Sequence, residues 1–320
     1  MNERPALRET VAGRLPGVPF ALLAEADPSA ETTVEAMLLG SVARDAARWD
    51  PRAYPRLRFV QRAFAGVDDL PFDRIPESVQ VAGNVGGYAP FVAEHAIALA
   101  LACGRGILAG NAAVASGQAR PAPELRSLWR ETVVVLGYGA IGRAIADDLR
   151  PFGVRVLGLN RTGAPAPGCE RMFPADQLRS AVAAGAVVFD CRPLTRRTAG
   201  SLGAAEFAAM REDAVFVNVG RGGTVVEEAL FHHLEAHPRF RAALDVWWQE
   251  DFLHGRLTTR FPFARLPNFV GSPHWAGIAP QVSEYALGTA LENLARFFRG
   301  ERPRHVVDRA EYVGLDRGPG

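Results

Sequence analysis

Three side chains suited to acid-base chemistry follow predicted strands in the second half of the chain. Arg221 follows the strand AVFVNVG, Glu250 ends the segment ALDVWWQE, and His274 lies in SPHWAG after the strand NFV. Ligands bind a parallel α/β sheet at the carboxyl ends of its strands, so the three side chains are expected to meet at one edge. A guanidinium binds a carboxylate, and an imidazole held by a carboxylate can protonate a carbonyl oxygen. Together they suit chemistry on a carbonyl group that stands next to a carboxylate.

A glycine-rich turn earlier in the chain indicates a dinucleotide site. Gly137, Gly139 and Gly142 form the pattern G-x-G-x-x-G, after an all-apolar strand and before a helix. There the glycines allow a tight turn, a close approach to a pyrophosphate and close helix packing, and the helix N-terminus favours the phosphate charge. A glycine turn that binds no ligand is the alternative. A nicotinamide dinucleotide would supply the hydride that reduction of a carbonyl group needs.

The strand after the glycine-rich turn ends at the position that decides between NAD and NADP in such a site. In VLGLNRTG the usual Asp or Glu, which binds the ribose hydroxyls, is replaced by Asn160, and Arg161 and Thr162 follow. A neutral Asn avoids repulsion of a 2′-phosphate, and Arg161 offers donors that suit phosphate. The sequence therefore predicts a preference for NADP(H), with NAD possible if Arg161 points into solvent.

Six candidate parallel strands support these residues, and six is the number that a doubly wound dinucleotide fold requires. They are VVVLG, VRVLGLN, AVVFDC, AVFVNVG, RAALDV and NFVGSP. Upstream, short apolar strands alternate with polar helices and loops, which predicts a second parallel layer that lacks an initial strand; they cover residues 18–26, 34–40, 58–64 and 79–83. The predicted fold class is α/β, with a doubly wound Rossmann nucleotide-binding domain and a smaller, flavodoxin-like substrate domain.

The connections between the two predicted domains are helical. A helix of small apolar residues begins at Ala89 in APFVAEHAIALALACGRGILAG and is expected to be buried between layers or domains. The final helix, residues 281–299, leads to ERPRHVVD, which is expected to return to the first domain. The predicted boundaries are residues 1–101 with 285–320 for the substrate domain and residues 102–284 for the dinucleotide-binding domain.

The composition limits the classes of function. The chain has 320 residues, 48% of them hydrophobic, and its formal net charge of +1 argues against a general nucleic-acid binder. No run approaches eighteen apolar residues and the N-terminus has no secretory pattern, so no membrane contact is predicted and the cytoplasm is the expected location. All 36 basic residues are Arg, which argues against lysine-dependent chemistry such as a Schiff base. The scattered cysteines and the trio His232, His233 and His237 match no metal-site pattern, so no metal is predicted.

The chain resembles the D-isomer-specific 2-hydroxyacid dehydrogenases, in particular the glyoxylate and hydroxypyruvate reductases. Signatures of that family, in the family order, are matched by RAFAGVDDL, NVGGYAPFVAEHAIALAL, LGYGAIGRAIA, NVGRGGTVVEEAL, ALDVWWQE and SPHWAG. The resemblance covers nearly the whole chain. It implies hydride transfer between NAD(P)H and C2 of a 2-keto acid to give a D-2-hydroxy acid, so that the partner is a small molecule.

The resemblance also implies roles for individual residues. Arg221 would bind the substrate carboxylate, His274 would act as acid/base at the carbonyl oxygen, and Glu250 would support His274. Backbone amides of Ala65 and Gly66 would bind the substrate carboxylate from the other domain, across a cleft that closes about segments near residues 102 and 284. The cofactor would contact Gly137, Gly139, Ala140, Ile141, Gly142, Asn160, Arg161, Thr162, Pro193, Val219, Gly220, Asp245, His274 and Gly277.

Three positions leave the detail of that site open. Arg192 precedes Pro193 where the family often has an apolar residue or His, so it would hold the cofactor or face solvent. Asp251 follows Glu250 where Pro is usual, which puts the pose of the carboxylate and the length of the following loop in doubt. Asp245, in a position that contacts the nicotinamide carboxamide in the family, can equally serve as a strand-end cap.

Other functions differ from this one by single residues or by class. Formate dehydrogenases carry Gln where Glu250 stands, and phosphite dehydrogenases use a Lys aligned with Ala65, so the sequence disfavours both. A non-catalytic NAD(P)-sensing interaction protein of the corepressor type is the alternative function. The long helix from Ala89 and its small-residue face ALALACG suggest a two-fold homodimer interface. Aromatic residues near the predicted site give a weak preference for a bulky substrate: Phe64, Tyr88, Phe91, Trp247, Trp248 and Trp275.

Overall fold

The structure is a computed structural model that describes residues 4–21, 32–40, 50–119 and 124–315. Its strands are β1 (Ala36–Leu39), β2 (Phe59–Arg62), β3 (Gln80–Ala82), β4 (Thr132–Leu136), β5 (Arg155–Leu159), β6 (Arg171–Phe173), β7 (Val187–Asp190), β8 (Val215–Asn218), β9 (Arg241–Leu244), β10 (Gln249–Asp251), β11 (Arg256–Thr258) and β12 (Phe269–Gly271). Its α-helices are α1 (Arg4–Arg14), α2 (Ala89–Gly104), α3 (Ile107–Ala115), α4 (Ala140–Asp148), α5 (Leu178–Ala183), α6 (Ala204–Ala209), α7 (Glu227–Ala236) and α8 (Val282–Phe298).

The chain divides into two compact units. The first contains residues 1–88 and 279–315, and the second contains residues 89–278. The predicted boundary after residue 101 would divide α2, whereas the structure assigns the whole of that helix to the second unit. The reason is that α2 packs against α4 and against strands β8 and β9 of the second unit.

The second unit is built on a seven-stranded parallel sheet in the order β12-β9-β8-β7-β4-β5-β6. The strand β4 lies inside the sheet between β7 and β5, and its four residues 133–136 are fully buried. From β4 the chain runs outward to β6 and then returns to β7 on the other side, so the switch point of a doubly wound sheet lies between β4 and β7. All six predicted strands are confirmed. The edge strand β6 was not predicted, because its sequence RMF begins with an exposed arginine and forms no apolar run.

The first unit holds a three-stranded parallel sheet in the order β1-β2-β3. These strands match the predictions for residues 34–40, 58–64 and 79–83. Of the predicted strand at residues 18–26, residues 18–21 are irregular and residues 22–26 lie outside the described part of the chain. The amide of Val307 donates to the carbonyl of Val81 at 2.9 Å, so the expected return of ERPRHVVD to this unit is confirmed.

The helix predicted from Ala89 is interrupted. It ends at Gly104, and α3 begins at Ile107 after Gly106, whose φ of 60° is a left-handed conformation that suits glycine. In the described residues no single helix is long and apolar enough to cross a membrane; α2 and α3 reach that length only as a pair bent by 58°.

One face of the small-residue segment ALALACG is buried within the second unit. Its residues Leu99, Ala100 and Cys103 are buried within the second unit, and the Cys103 thiol lies 3.5 Å from the carbonyl of Ala242 in β9. Burial raises the pKa of that thiol to about 12. This face of the segment therefore covers the chain's own sheet, and the predicted dimer interface stays a prediction.

Candidate active site

The residues predicted to act on the substrate follow neighbouring strands of the second unit. Arg221 comes three residues after β8, Glu250 lies on β10 shortly after β9, and His274 comes three residues after β12. The strands β8, β9 and β12 are adjacent and parallel, so all three segments leave the sheet at its carboxyl edge. Ligands bind doubly wound sheets at that edge.

The side chains of His274 and Glu250 form a hydrogen-bonded pair. Nδ1 of the imidazole lies 2.9 and 3.0 Å from the two carboxylate oxygens. The His274 side chain is 27% exposed and the Glu250 side chain 13%, so the pair is partly shielded from water while the ring stays accessible. Because Nδ1 faces the carboxylate, Nε2 is the nitrogen left for a substrate atom.

The backbone of His274 is held in an unusual conformation. Its φ is 58°, in the left-handed region that residues other than glycine rarely adopt. The His274 amide donates to the carbonyl of Asp245 at 2.8 Å, which fixes the residue against the end of β9. Such strain persists only where neighbouring contacts enforce it, and it concentrates at functional sites.

The segment after β9 connects this pair to Arg221. The amide of Trp247 donates to Glu250 Oε1 at 2.9 Å. A side-chain carbon added to Gly222 would lie 2.2 Å from the carbonyl carbon of Trp247, so the backbone that carries Arg221 packs directly against this segment. The Arg221 guanidinium also donates through Nη1 to the carbonyl of Gly220 at 2.8 Å. The three predicted side chains therefore project from backbone segments that contact one another.

Asp245 organises the loop that carries His274. The residue is fully buried, and its carboxylate accepts hydrogen bonds from Ser272 Oγ at 2.6 Å and from the amides of Trp275 and Ala276 at 2.8 and 2.9 Å. Burial opposes ionisation, but these bonds and one from His95 hold the pKa of Asp245 below its ordinary value. This geometry fits the strand-end cap that the sequence left open, and the contact with nicotinamide stays a prediction.

The glycine turn fits a pyrophosphate. Gly137 has a φ of 84°, and a side-chain carbon on Gly142 would lie 2.7 Å from the carbonyl oxygen of Gly137. A side-chain carbon on Gly139 would meet nothing within 4 Å, so open space lies above the backbone where α4 begins. Gly137 thus makes the tight turn, Gly142 allows close packing of the helix, and Gly139 leaves room for the close approach that the motif requires. Ala140 and Ile141 form the first turn of α4.

The segment after β5 has a defined shape. Asn160 Oδ1 accepts hydrogen bonds from the amides of Thr162 and Gly163 at 3.1 and 2.7 Å, and its amide nitrogen donates to the carbonyl of Ala164 at 2.8 Å. Asn160 thus closes a turn through its own side chain. Arg161 and Thr162 are exposed at the tip of that turn.

Arg192 does not face solvent. Its Nε and Nη2 each lie 2.8 Å from one oxygen of Asp190, and its Nη1 donates to Ser201 Oγ at 3.0 Å. The side chains of Arg192 and Asp190 are buried, with 7% and 0% of their surface exposed. The solvent-facing alternative is therefore wrong. This buried pair was missed because nothing in the spacing DCR distinguishes it from an exposed one.

The Asp190–Arg192 pair contacts the glycine turn and the segment that carries Arg221. A side-chain carbon on Gly137 would lie 3.0 Å from the Arg192 side chain, and one on Gly220 would lie 2.5 Å from the Arg192 carbonyl oxygen. The Thr224 hydroxyl lies 2.9 Å from Asp190 Oδ2 and 2.8 Å from the carbonyl of Arg221. The pair therefore supports the backbone of the glycine turn and of the segment that carries Arg221.

The remaining predicted contacts lie at strand ends in their own units. Pro193 follows β7, Val219 and Gly220 follow β8, and Gly277 follows the His274 loop. In the first unit Ala65 and Gly66 follow β2, and in the described part of the chain their amides donate to no protein acceptor.

The loop around Ala65 and Gly66 is held in shape by a buried arginine. Arg62 Nη2 lies 2.9 and 2.8 Å from the Asp69 carboxylate oxygens, and this ion pair ties the two ends of the loop together. The side chain of Arg62 is 3% exposed.

Two of the aromatic residues thought to line a substrate pocket are structural. Trp247 Nε1 donates to the carbonyl of Ser272 at 2.9 Å, and Trp248 Nε1 donates to the carbonyl of Val225 at 2.7 Å. The Trp248 ring also stacks on Phe263 at 5.4 Å, within the core.

The chain is similar to known proteins in both sequence and structure. The family model of the D-isomer specific 2-hydroxyacid dehydrogenase NAD-binding domain matches residues 97–276. A glyoxylate reductase of Pyrococcus furiosus is 28% identical over 264 residues, which cover 80% of this chain and 77% of that protein. An NADPH-dependent glyoxylate/hydroxypyruvate reductase of Sinorhizobium meliloti, solved with NADP and sulfate, is 26% identical and superposes with a TM-score of 0.77 over 96% of each chain. A putative formate dehydrogenase of Pyrobaculum aerophilum is 33% identical, with a TM-score of 0.75 over 87% of this chain and 89% of that one.

Proposed function

The chain belongs to the D-isomer-specific 2-hydroxyacid dehydrogenase family, and we propose that it reduces a 2-keto acid to a D-2-hydroxy acid, with NADPH as the preferred reductant. As a member of that family it is an NAD(P)-dependent oxidoreductase. The observation that carries the proposal is the pairing of His274 Nδ1 with the Glu250 carboxylate at 2.9 Å, at the carboxyl edge of the sheet. That pairing leaves a polarised ring nitrogen free to protonate a carbonyl oxygen.

In the proposed reaction each residue acts on one part of the substrate. Arg221 binds the substrate carboxylate, with the amides of Ala65 and Gly66 as further donors. His274 donates the proton from Nε2 to the oxygen at C2, and Glu250 stabilises the imidazolium before that transfer. Bound NADPH supplies the hydride that C2 receives. The neutral imidazole left behind takes a proton from water, so one proton and one hydride are added in each turnover.

The residues fit a dinucleotide, and their proposed contacts fall on three parts of the cofactor: the pyrophosphate, the adenosine ribose and the nicotinamide. Gly139 and the first turn of α4 would hold the pyrophosphate. Arg161 and Thr162 would lie at the adenosine ribose. Pro193, Val219, Gly220 and Gly277 would line the binding crevice at the carboxyl edge, and Asp245 and His274 would lie at the nicotinamide.

The proposal is tested by absorbance at 340 nm with NADPH or NADH and a panel of 2-keto acids. Consumption of NADPH that depends on the keto acid supports it. The alternative, an NAD(P)-sensing interaction protein, predicts nucleotide binding without turnover of short, branched or aromatic acids. Formate with NADP⁺ or NAD⁺ belongs in the same panel, and the Glu250–His274 pair argues against its oxidation because formate has no keto oxygen to protonate.

Replacing Arg161 is expected to change the choice of cofactor. Arg161→Gln removes a cation that would bind the 2′-phosphate, so kcat/KM for NADPH should fall about tenfold, equivalent to about 1.4 kcal/mol, while that for NADH changes little. The matched control is Arg155→Gln at the opposite end of β5, where the side chain pairs with Glu170 at 2.7 Å. An unchanged ratio of NADPH to NADH in Arg161→Gln would contradict the preference.

We also propose that the enzyme is a homodimer, with α3 as its interface. The nine residues of α3 are almost all apolar and none is buried; Val114 is 78% exposed, and Ile107 and Leu108 more than half. A contiguous exposed apolar surface of this kind is characteristic of association sites. A second copy of the chain is the simplest occupant, because most soluble oligomers are symmetric pairs of one chain.

Charges on α3 should separate the two copies. Leu108→Glu with Val114→Glu places carboxylates on the proposed interface, so light scattering should change from twice 34.5 kDa to a single chain. Val313→Glu, at a partly exposed apolar residue of the other unit, should leave the dimer intact. A wild-type mass of one chain would refute the dimer.

A further inference from the structure

A two-stranded hairpin carries Glu250 in place of the proline-containing loop that the family pattern suggests. Strand β10 pairs with β11 in antiparallel register, with Glu250 opposite Leu257. The turn is closed by His254, whose Nδ1 lies 2.6 Å from the Asp251 carboxylate and whose amide donates to the same group. The hairpin therefore gives the residues after Glu250 a defined direction.

Two side chains of the hairpin contact His274. Glu250 lies on β10, and Phe252 is the first residue of the turn that follows β10. The Phe252 ring lies 5.2 Å from the His274 ring, with planes inclined at 71° in an edge-to-face arrangement. The imidazole thus has a carboxylate at Nδ1 and an aromatic ring beside it.

Phe252 is nevertheless 60% exposed, so most of its ring surface is open to a ligand. Large apolar side chains beside convergent polar groups are typical of ligand-binding surfaces. Trp247 and Trp248 are partly buried, and each donates its indole N–H to a backbone carbonyl of its own unit. Phe252 is therefore the aromatic side chain of the hairpin that remains available to a ligand at His274.

We propose that Phe252 is a specificity-determining residue that selects 2-keto acids with a large apolar side chain. This inference rests on the proposed function. A keto oxygen bonded to His274 Nε2 at about 3 Å places the substituent at C2 within reach of the Phe252 ring. A phenyl or branched alkyl group there covers apolar surface on both partners, whereas glyoxylate offers only hydrogen at that position.

The test compares Phe252→Ala and Phe252→Leu with wild type on phenylpyruvate, 4-methyl-2-oxopentanoate, pyruvate and glyoxylate, with NADPH as reductant. Wild type should have its highest kcat/KM on the first two acids. Phe252→Ala should lower those two values about tenfold or more, mainly through KM, and lower the glyoxylate value less than threefold. Phe252→Leu should be intermediate, because it keeps an apolar side chain at the position.

Two controls separate this role from support of the hairpin. Leu253→Ala removes a neighbouring exposed side chain and should leave the order of preference among the four acids as in wild type. The pH profile of glyoxylate reduction should be the same in Phe252→Ala and wild type, since the Glu250–His274 contact is retained. Dissociation constants of phenylpyruvate and glyoxylate, measured by calorimetry in the presence of NADP⁺, give a readout apart from turnover, and the former alone should weaken in Phe252→Ala.

The outcomes distinguish the inference from the function on which it rests. Equal losses on all four acids in Phe252→Ala, or a wild-type preference for glyoxylate, would overturn the specificity role while the proposed reductase activity stands. Turnover of none of the acids by wild type would overturn both.

Discussion

Replacing His274 with Asn is expected to lower kcat by about 10²- to 10⁴-fold, because general acid catalysis contributes on that scale. Asn has a similar shape but cannot donate a titratable proton to the keto oxygen. NADPH binding should be retained, since the glycine turn after β4 is untouched. Steady-state rates at 340 nm measure kcat, and the fluorescence of bound NADPH measures the affinity for NADPH.

The matched control is His254→Asn on the same hairpin. His254 also contacts a carboxylate, with its Nδ1 2.6 Å from Asp251, but its side chain is exposed and it closes a turn. Its replacement should change kcat by less than about threefold. If His274→Asn kept more than a tenth of the wild-type kcat, another group would have to supply the proton.

Replacing Arg192 with Leu is expected to lower the free energy of unfolding by about 3–5 kcal/mol. The change leaves the Asp190 carboxylate, which has no exposed surface, without its cationic partner, and an uncompensated buried charge has a cost of that size. Urea unfolding followed by circular dichroism measures the loss. The same variant should raise KM for the keto acid, because Asp190 also contacts Thr224, which lies against the Arg221 backbone.

The double replacement Asp190→Leu with Arg192→Leu tests the cause of that loss. Removing both charges should recover much of the stability, since a buried pair is often replaced by apolar residues at little cost. Arg150→Leu is the exposed control, where the pair with Asp147 should contribute no more than about 1 kcal/mol. A loss as small in Arg192→Leu as in Arg150→Leu would contradict the buried-pair account.

The sequence predicted most of the second unit because its inner strands are almost wholly apolar. In β4 and β8 the run of valines and its flanking glycines set both the type and the end of the strand. Knowing where the strands end was enough to assign Arg221, Glu250 and His274 to one edge of the sheet. Strand β6 has only three residues and no such run, so it could not be found in the same way.

Contacts between side chains could not be predicted from the sequence alone. Arg192 gave no sign of burial, because an arginine beside a strand end is usually exposed and its partner Asp190 is itself part of β7. The hairpin that brings Phe252 to His274 depends on the pairing of β10 with β11, which short polar strands do not reveal. The break between α2 and α3 follows from the left-handed conformation of Gly106, which a glycine permits but does not require.

The place of α2 in the second unit depends on the elements that pack against it. The apolar character of α2 predicted burial correctly, but not which surface covers it. Its small residues allow close packing on β8 and β9, so the helix belongs with the sheet that follows it in the chain. By contrast α3 has a similar composition, and none of its nine residues is buried.

The most direct test is to measure product and cofactor together, with wild type and His274→Asn side by side. Phenylpyruvate and NADPH are incubated with each protein, and the D-2-hydroxy acid is quantified by chiral chromatography against the NADP⁺ formed. The proposed mechanism predicts one D-2-hydroxy acid for each NADPH consumed by wild type, and formation of both slowed by at least 10²-fold in the variant. NADPH bound tightly by wild type, with no hydroxy acid formed from phenylpyruvate or any other acid of the panel, would contradict it.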